Sequence, residues 1–147
     1  MSYISNLVHF IWSTAKREPM IKPEWEERLY AYIGGTLNKS RAKLLTAGGI
    51  EDHIHLFVSL PSTLSLADAA QLMKSNSSRF VHEELGLASF DWQKGYAALS
   101  VSVSGKEAVT KYILGQKEHH RKKSFQEEYI EFLEKNEIPY HPNYVFL

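Results

Sequence analysis

The hydrophobic positions of this 147-residue chain change period several times, and each change marks an element. "YISNLVHFIW" (3–12) alternates as a strand does, with Val8, Phe10 and Trp12 on one side and Leu7, His9 and Ile11 on the other. After the loop "KREPMIKP", Pro23 and the acids Glu24, Glu26 and Glu27 mark the first turn of a helix near 24–40. Its apolar stripe is Trp25, Leu29, Ile33 and Leu37, weakened by Gly34 and Gly35. Two strands near 42–50 and 53–60 follow, joined through "GGIED" as a hairpin. Leu64, Ser65 and Asp68 open a second helix after Pro61. It runs to about Leu85, with Leu66, Ala69, Ala70, Met73, Ser77, Phe80 and Val81 at helical spacing and Gly86 as its stop.

"YAALSVSVS" (96–104) alternates apolar residues with serines, the period of a half-buried strand. Ser104 and Glu107 spell a capping box for a helix through about Arg121; Ser124 and Glu127 repeat it for a last helix to about Lys135. The order βαββαβ predicts an α+β, ferredoxin-like (RRM-like) fold, an antiparallel sheet with helices on one face. A tyrosine-bearing helix and a final helix follow it, and they need a surface on the sheet or on a partner. No repeat or linker interrupts 1–147, which reads as one domain.

Composition narrows the class. Apolar residues make up 44% and charged residues 23%, which fits a globular chain rather than a disordered one. No stretch nears the roughly 18 consecutive apolar residues of a membrane span. "MSYISNLVHF" lacks the features of a signal peptide, so a cytoplasmic protein is expected. The absence of cysteine excludes disulfides and thiolate metal sites. Net charge is zero, which argues against binding nucleic acid through bulk charge. The bases are nonetheless clustered, at Lys39, Arg41 and Lys43 and in "KEHHRKK" (117–123), while acids gather in "EWEER" and "EEYIEFLEKNE".

"EDHIHLFVSL" (51–60) carries the first candidate chemistry. Period two puts His53, His55, Phe57 and Ser59 on one face and Ile54, Leu56, Val58 and Leu60 on the other. The second set is a core face. The first sets two imidazoles side by side, either to share a divalent ion or as two half-buried histidines bonded to backbone or water. On the helix at 105–121, Tyr112 and Gln116 share a face four residues apart, and His119 lies one turn further along it. A Tyr and a Gln buried there each need hydrogen-bond partners. Gly115, a costly residue inside a helix, would allow close approach by DNA, a metal site or another helix.

These features together resemble the single-tyrosine HUH transposases, small insertion-sequence enzymes acting on single-stranded DNA, and their relatives the REP-associated tyrosine transposases. The similarity spans nearly the whole chain, through "STAKREPMI", "GGIEDHIHLFVSLP", "MKSNSSRF", "DWQKGYAALSVS" and "QKEHHRKKSFQEEY" in family order. The resemblance implies that His53 and His55 are the metal pair, Gln116 the third ligand and Tyr112 the nucleophile. It implies Mg²⁺ or Mn²⁺, a 5′-phosphotyrosine intermediate and DNA ends that contain hairpins. It also implies a homodimer with composite sites, each joining the His53–His55 pair of one chain to Tyr112 of the other. His119 is a rival third ligand, since imidazole binds soft divalent ions better than an amide does.

DNA contacts are sought where bases meet polar surface: Lys74, Ser78 and Arg79 on the second helix, and Lys111, Arg121 and Lys122 around the tyrosine helix. A solvated helix face, or the bases favoured at a helix C-terminus, accounts for the same residues without DNA. Trp92 and Tyr96 are candidates to stack on bases, or core aromatics near a strand start. Three rivals stand beside the transposase reading. An RRM-like binding module would want exposed aromatics on its central strands, and "HIHLFVS" offers Phe57 alone. A histidine-ligated zinc hydrolase leaves Tyr112 without a role. A domesticated transposase would bind DNA without cutting it.

Overall fold

The alternation at the start of the chain becomes β1 (Leu7–Ser13), the hairpin becomes β2 (Lys43–Ile50) and β3 (His53–Ser59), and the serine-rich strand becomes β4 (Ala97–Val101). A computed structural model describes residues 1–147. The sheet order is β2-β3-β1-β4, with every neighbouring pair antiparallel. Helix α1 (Glu26–Lys39) connects β1 to β2, and α2 (Leu66–Glu84) connects β3 to β4. This is the ferredoxin-like arrangement that the element order predicts.

Both crossover helices cover one face of the sheet. Leu29, Ile33 and Leu37 of α1 and Ala69, Met73 and Val81 of α2 bury against Val8, Phe10, Trp12, Ile54, Leu56 and Val58. Each large side chain fully buried there contributes about 1.5–3 kcal/mol. Ser65 caps α2 by accepting the Asp68 N–H at 3.0 Å, and Gly86 takes the left-handed conformation (φ 71°) just beyond its end.

The remaining chain forms α3 (Lys106–Leu114), α4 (Gln116–His119) and α5 (Phe125–Lys135). The sequence predicts one helix through Arg121; Gly115 instead breaks it, at φ −92° and ψ 14°. The Ser104–Glu107 box does not form either. Ser104 bonds to the Ser102 hydroxyl at 2.8 Å, and a 3-10 turn at Val103–Gly105 leads into α3 instead. The Ser124–Glu127 box does form and starts α5. Phe125, Tyr129 and Leu133 of α5 then bury Ile11, Ala97 and Leu99, on the sheet face that α1 and α2 leave uncovered.

Two residues considered for DNA contact also fasten the architecture. Lys74 Nζ donates to the carbonyls of Gln93, Lys94 and Gly95 at 2.6, 3.0 and 2.9 Å, fastening the segment before β4 to α2. Burial lowers its pKa to about 8. Trp92 is core, packed edge-on against Trp12 and Phe90, with its indole N–H on Ser77 Oγ at 2.9 Å.

Candidate active site

β3 supplies the first two groups. Its alternation turns His53 and His55 away from the α1–α2 layer, and both are fully buried. Each is held from behind through Nδ1. The carboxylate of Asp52, in the hairpin turn, lies 2.8 Å from His53 Nδ1. His9 Nε2 lies 2.8 Å from His55 Nδ1. Strand register explains that second contact: Ile11 stands opposite His55, so His9 is its diagonal neighbour on the same face.

Burial, then the neighbouring His55, lowers the His9 pKa to about 3. Burial lowers that of His55 to about 4, against the pull of Glu128. Both rings are therefore neutral at pH 7. Asp52 can only accept from His53 Nδ1–H, a tautomer that presents the Nε2 lone pair forward, as a metal ligand must. In the His9–His55 pair either ring can be the donor.

The other groups arrive from the C-terminal helices. Gln116 is buried, with Oε1 2.8 Å from His53 Nε2. The Tyr112 ring stands edge-on to His55, 5.8 Å between centroids. Its hydroxyl donates to Glu128 Oε2 and lies 3.2 Å from His119 Nε2. Glu128, 1% exposed on α5, also accepts the Gln116 amide N–H at 3.0 Å. Its Oε1 lies 3.1 Å from His55 Nε2 and 3.0 Å from His120 Nε2.

Charge follows from that packing. Burial works against an ionised Glu128, but its bonds to His120 and His55 outweigh it and hold the carboxyl well below the usual range. Burial opposes a charged His120 too, yet Glu128 raises its pKa above the ordinary histidine value. Burial first, then the bond to the Glu128 carboxylate, pushes the Tyr112 phenol far up, so the resting hydroxyl keeps its proton.

Among the nominated ligands, Gln116 meets His53, whereas His119 meets the phenolic oxygen. His53, His120 and Glu128 offer ligand atoms that all lie within 4.8 Å of one another. Imidazole nitrogens backed at Nδ1, an amide oxygen and a carboxylate form a donor set that suits a borderline or hard divalent ion. Tyr112 reaches the histidine pair of its own chain, because α3 lies directly along β2 and β3.

Residues 2–116 match the family described as "Transposase IS200 like". The chain belongs to the IS200-like transposases. Solved structures support the fold. A candidate transposase from Deinococcus radiodurans R1 superposes with a TM-score of 0.62 at 20% identity, covering 79% of this chain and 95% of that one. A REP-associated tyrosine transposase bound to a REP hairpin superposes with a TM-score of 0.62 at 15% identity, covering 82% of this chain and 72% of that one. No curated protein matches the sequence. No helix is long and apolar enough to cross a membrane.

For this IS200-like transposase the sequence nominated Tyr112, His53, His55 and Gln116, and the fold gathers them at one place. It also gathers His9, Asp52, His120 and Glu128, which sequence reasoning missed. Glu128 did leave a signal: Phe125, Glu128, Tyr129, Phe132 and Leu133 stand at one helical stripe, an acid among apolar residues. The remaining nominated bases lie outside the cluster. Lys111 pairs with Glu107 at 3.3 Å and Arg121 with Glu118 at 3.0 Å, all exposed, and Lys122 is exposed as well. Ser78 and Arg79 line a groove of about 640 Å³ between α2 and the segment before β4.

Proposed function

We propose that this transposase cuts and rejoins single-stranded DNA by transesterification, with Tyr112 as nucleophile and hairpin-bearing DNA as substrate. One observation carries the reading: the Tyr112 hydroxyl shares a single cluster with His53, His55 and Gln116, residues supplied by β3 and α4. A phenol suits the task because its oxygen attacks phosphorus and later leaves again. Tyr112 Oη gives up its proton and bonds to phosphorus, the bond from phosphorus to the 3′ oxygen breaks, and the departing oxygen takes up a proton as a free 3′-hydroxyl, so that protons balance. The 5′ phosphate stays on the tyrosine, and a DNA 3′-hydroxyl later displaces it in the reverse step.

His53, His55 and Gln116 would hold a divalent ion, Mg²⁺ or Mn²⁺, whose chemistry is to polarise the phosphoryl oxygens and offset the charge that builds there. Asp52 and His9 orient the two imidazoles. The His119 imidazole beside the phenolic oxygen is placed to stabilise it as its proton departs. Arg79 and Ser78 in their groove, with Lys111, Arg121 and Lys122, are the phosphate contacts we assign. The hairpin substrate is supported by the relative solved with a REP hairpin.

The test is incubation with single-stranded hairpin oligonucleotides and Mn²⁺. A covalent DNA adduct should form and map to Tyr112, and a chelator should prevent it. An adduct on Tyr96 or Tyr129, or full activity in excess chelator, would overturn the assignment. Binding without any cleavage by the wild-type chain would instead support a domesticated, non-cutting protein.

A further inference from the structure

α5 does more than cover the sheet. Its Glu128 is a nearly fully buried carboxylate placed among histidines, and its two oxygens face different partners. Oε1 lies 3.0 Å from His120 Nε2, 3.1 Å from His55 Nε2 and 3.4 Å from His53 Nε2. Oε2 takes the Tyr112 hydroxyl and the Gln116 amide, with His119 Nε2 at 3.5 Å.

We infer that Glu128 is a further protein ligand of the divalent ion through Oε1, and that through Oε2 it positions Tyr112. This rests on the reading of His53 and His55 as the metal pair. Three observations on the chain support it. His53 Nε2 lies 2.8 Å from Gln116 Oε1 and 3.4 Å from Glu128 Oε1, and Glu128 Oε1 lies 3.1 Å from His55 Nε2. Ligand atoms about 2.1 Å from one ion stand about 3 Å apart when they occupy adjacent octahedral positions. Asp52 fixes the tautomer in which the His53 Nε2 lone pair faces Gln116 Oε1, itself an acceptor, so the contact calls for either an added proton or a cation.

The third observation concerns His120. Its side chain is 2% exposed, its Nε2 points at Glu128 Oε1, and its Nδ1 has no partner. An orphaned polar atom beside the cluster is costly unless the ring serves a purpose there. With its ring centroid 4.4 Å from that of His53, His120 stands as an additional donor on the same side. The carboxylate also supplies what the neutral set His53, His55 and Gln116 lacks, an anionic oxygen of the kind Mg²⁺ and Mn²⁺ prefer.

Mn²⁺ binding to the DNA-free full chain, followed by calorimetry and by the free-ion EPR signal, tests the inference without reference to cleavage. His53→Ala should abolish binding. Glu128→Gln, nearly isosteric, should weaken it at least ten-fold, while Glu134→Gln on the exposed side of α5 should leave it unchanged. A second measurement needs no variant: Mn²⁺ should slow amide hydrogen exchange along α5 (Phe125–Lys135) in the wild-type chain. Unchanged affinity in Glu128→Gln together with unaltered exchange in α5 would overturn the role of Glu128 and leave the histidine pair standing. Tighter Mn²⁺ binding and faster nicking in Glu128→Gln would also overturn it, marking the carboxylate as a plug in the place of a phosphate. Failure of the wild-type chain to bind Mn²⁺, or indifference to His53→Ala, would instead sink the metal reading itself.

Discussion

At the scale of single residues, the chemistry rests on protons held in the wrong place for reaction. Tyr112 keeps its proton because burial and the Glu128 carboxylate disfavour the phenolate, so the proposed attack requires that proton to leave. Tyr112→Phe keeps the ring's edge contacts with His55 and Phe132 and removes the oxygen alone. The variant should bind hairpin oligonucleotides with wild-type affinity in a gel-shift assay and form no covalent adduct. The buried histidines give a pH prediction. His9 titrates near 3 and His55 near 4 in the folded chain, against 6.5 for the ordinary residue. Between those values the unfolded chain takes up more protons than the folded one. The stability they contribute is complete above pH 6.5 and is lost as pH falls through 4 and 3, on the order of a few kcal/mol. Glu128 acts in the same sense at lower pH, and His120, whose pKa is raised, acts in the opposite sense as pH rises. Urea midpoints without metal should drop from pH 7 to pH 4.5, and His9→Gln should flatten the slope. A midpoint that stays level across that range would show that these rings are not buried as neutral groups.

At the scale of elements, the tyrosine is placed by a close approach between α3 and β2. A Cβ at Gly48 would stand 2.4 Å from the carbonyl oxygen of Ile113, the residue after Tyr112. That oxygen is backbone, so any side chain at 48 displaces the helix. Gly48→Ala should therefore slow nicking on the order of 10²-fold, as misplacing a reacting group by about 1 Å does. Its far-UV circular dichroism should remain that of the wild type. Gly35→Ala is the control, because nothing lies within 4 Å of a Cβ there. It should stabilise α1 by up to about 1 kcal/mol and leave nicking unchanged. The Ser124–Glu127 box has a comparable positioning role for Glu128. Ser124→Ala should lower stability by about 1 kcal/mol in urea melts.

At the scale of the whole molecule, the fold of a single chain brings Tyr112 to its own histidine pair. The sheet face that carries His53 and His55 is covered by the chain's own α5, and Tyr112 comes from the chain's own α3. Mixing His55→Ala protein with Tyr112→Phe protein tests this. Every chain then carries one broken part of its own site, so the mixture should stay inactive in nicking assays even where subunits exchange. Recovery of nicking to a sizeable fraction of wild type would mean that chains trade their tyrosine helices.

The sequence by itself determined what depends on period and on neighbours close along the chain. Alternation placed His53 and His55 on one face of one strand, helical spacing aligned Tyr112 with Gln116, and the Ser65 and Ser124 caps marked where α2 and α5 begin. The order of elements was enough for the ferredoxin-like sheet, since the two crossover helices have one apolar stripe each and one sheet to bury it on. Only the tertiary structure decided which surface covered the other face and what met the buried polar groups. His9 lies 46 residues from His55, and Glu128 lies 73 residues from it. No local pattern ties such pairs together. At Lys74 the sequence shows a charge and not the three carbonyls it fastens. The break at Gly115 and the docking of α5 were settled in the same way. A period selects the face of an element, but its neighbour is selected by competition among all the surfaces the folded chain brings near, including those of a second chain.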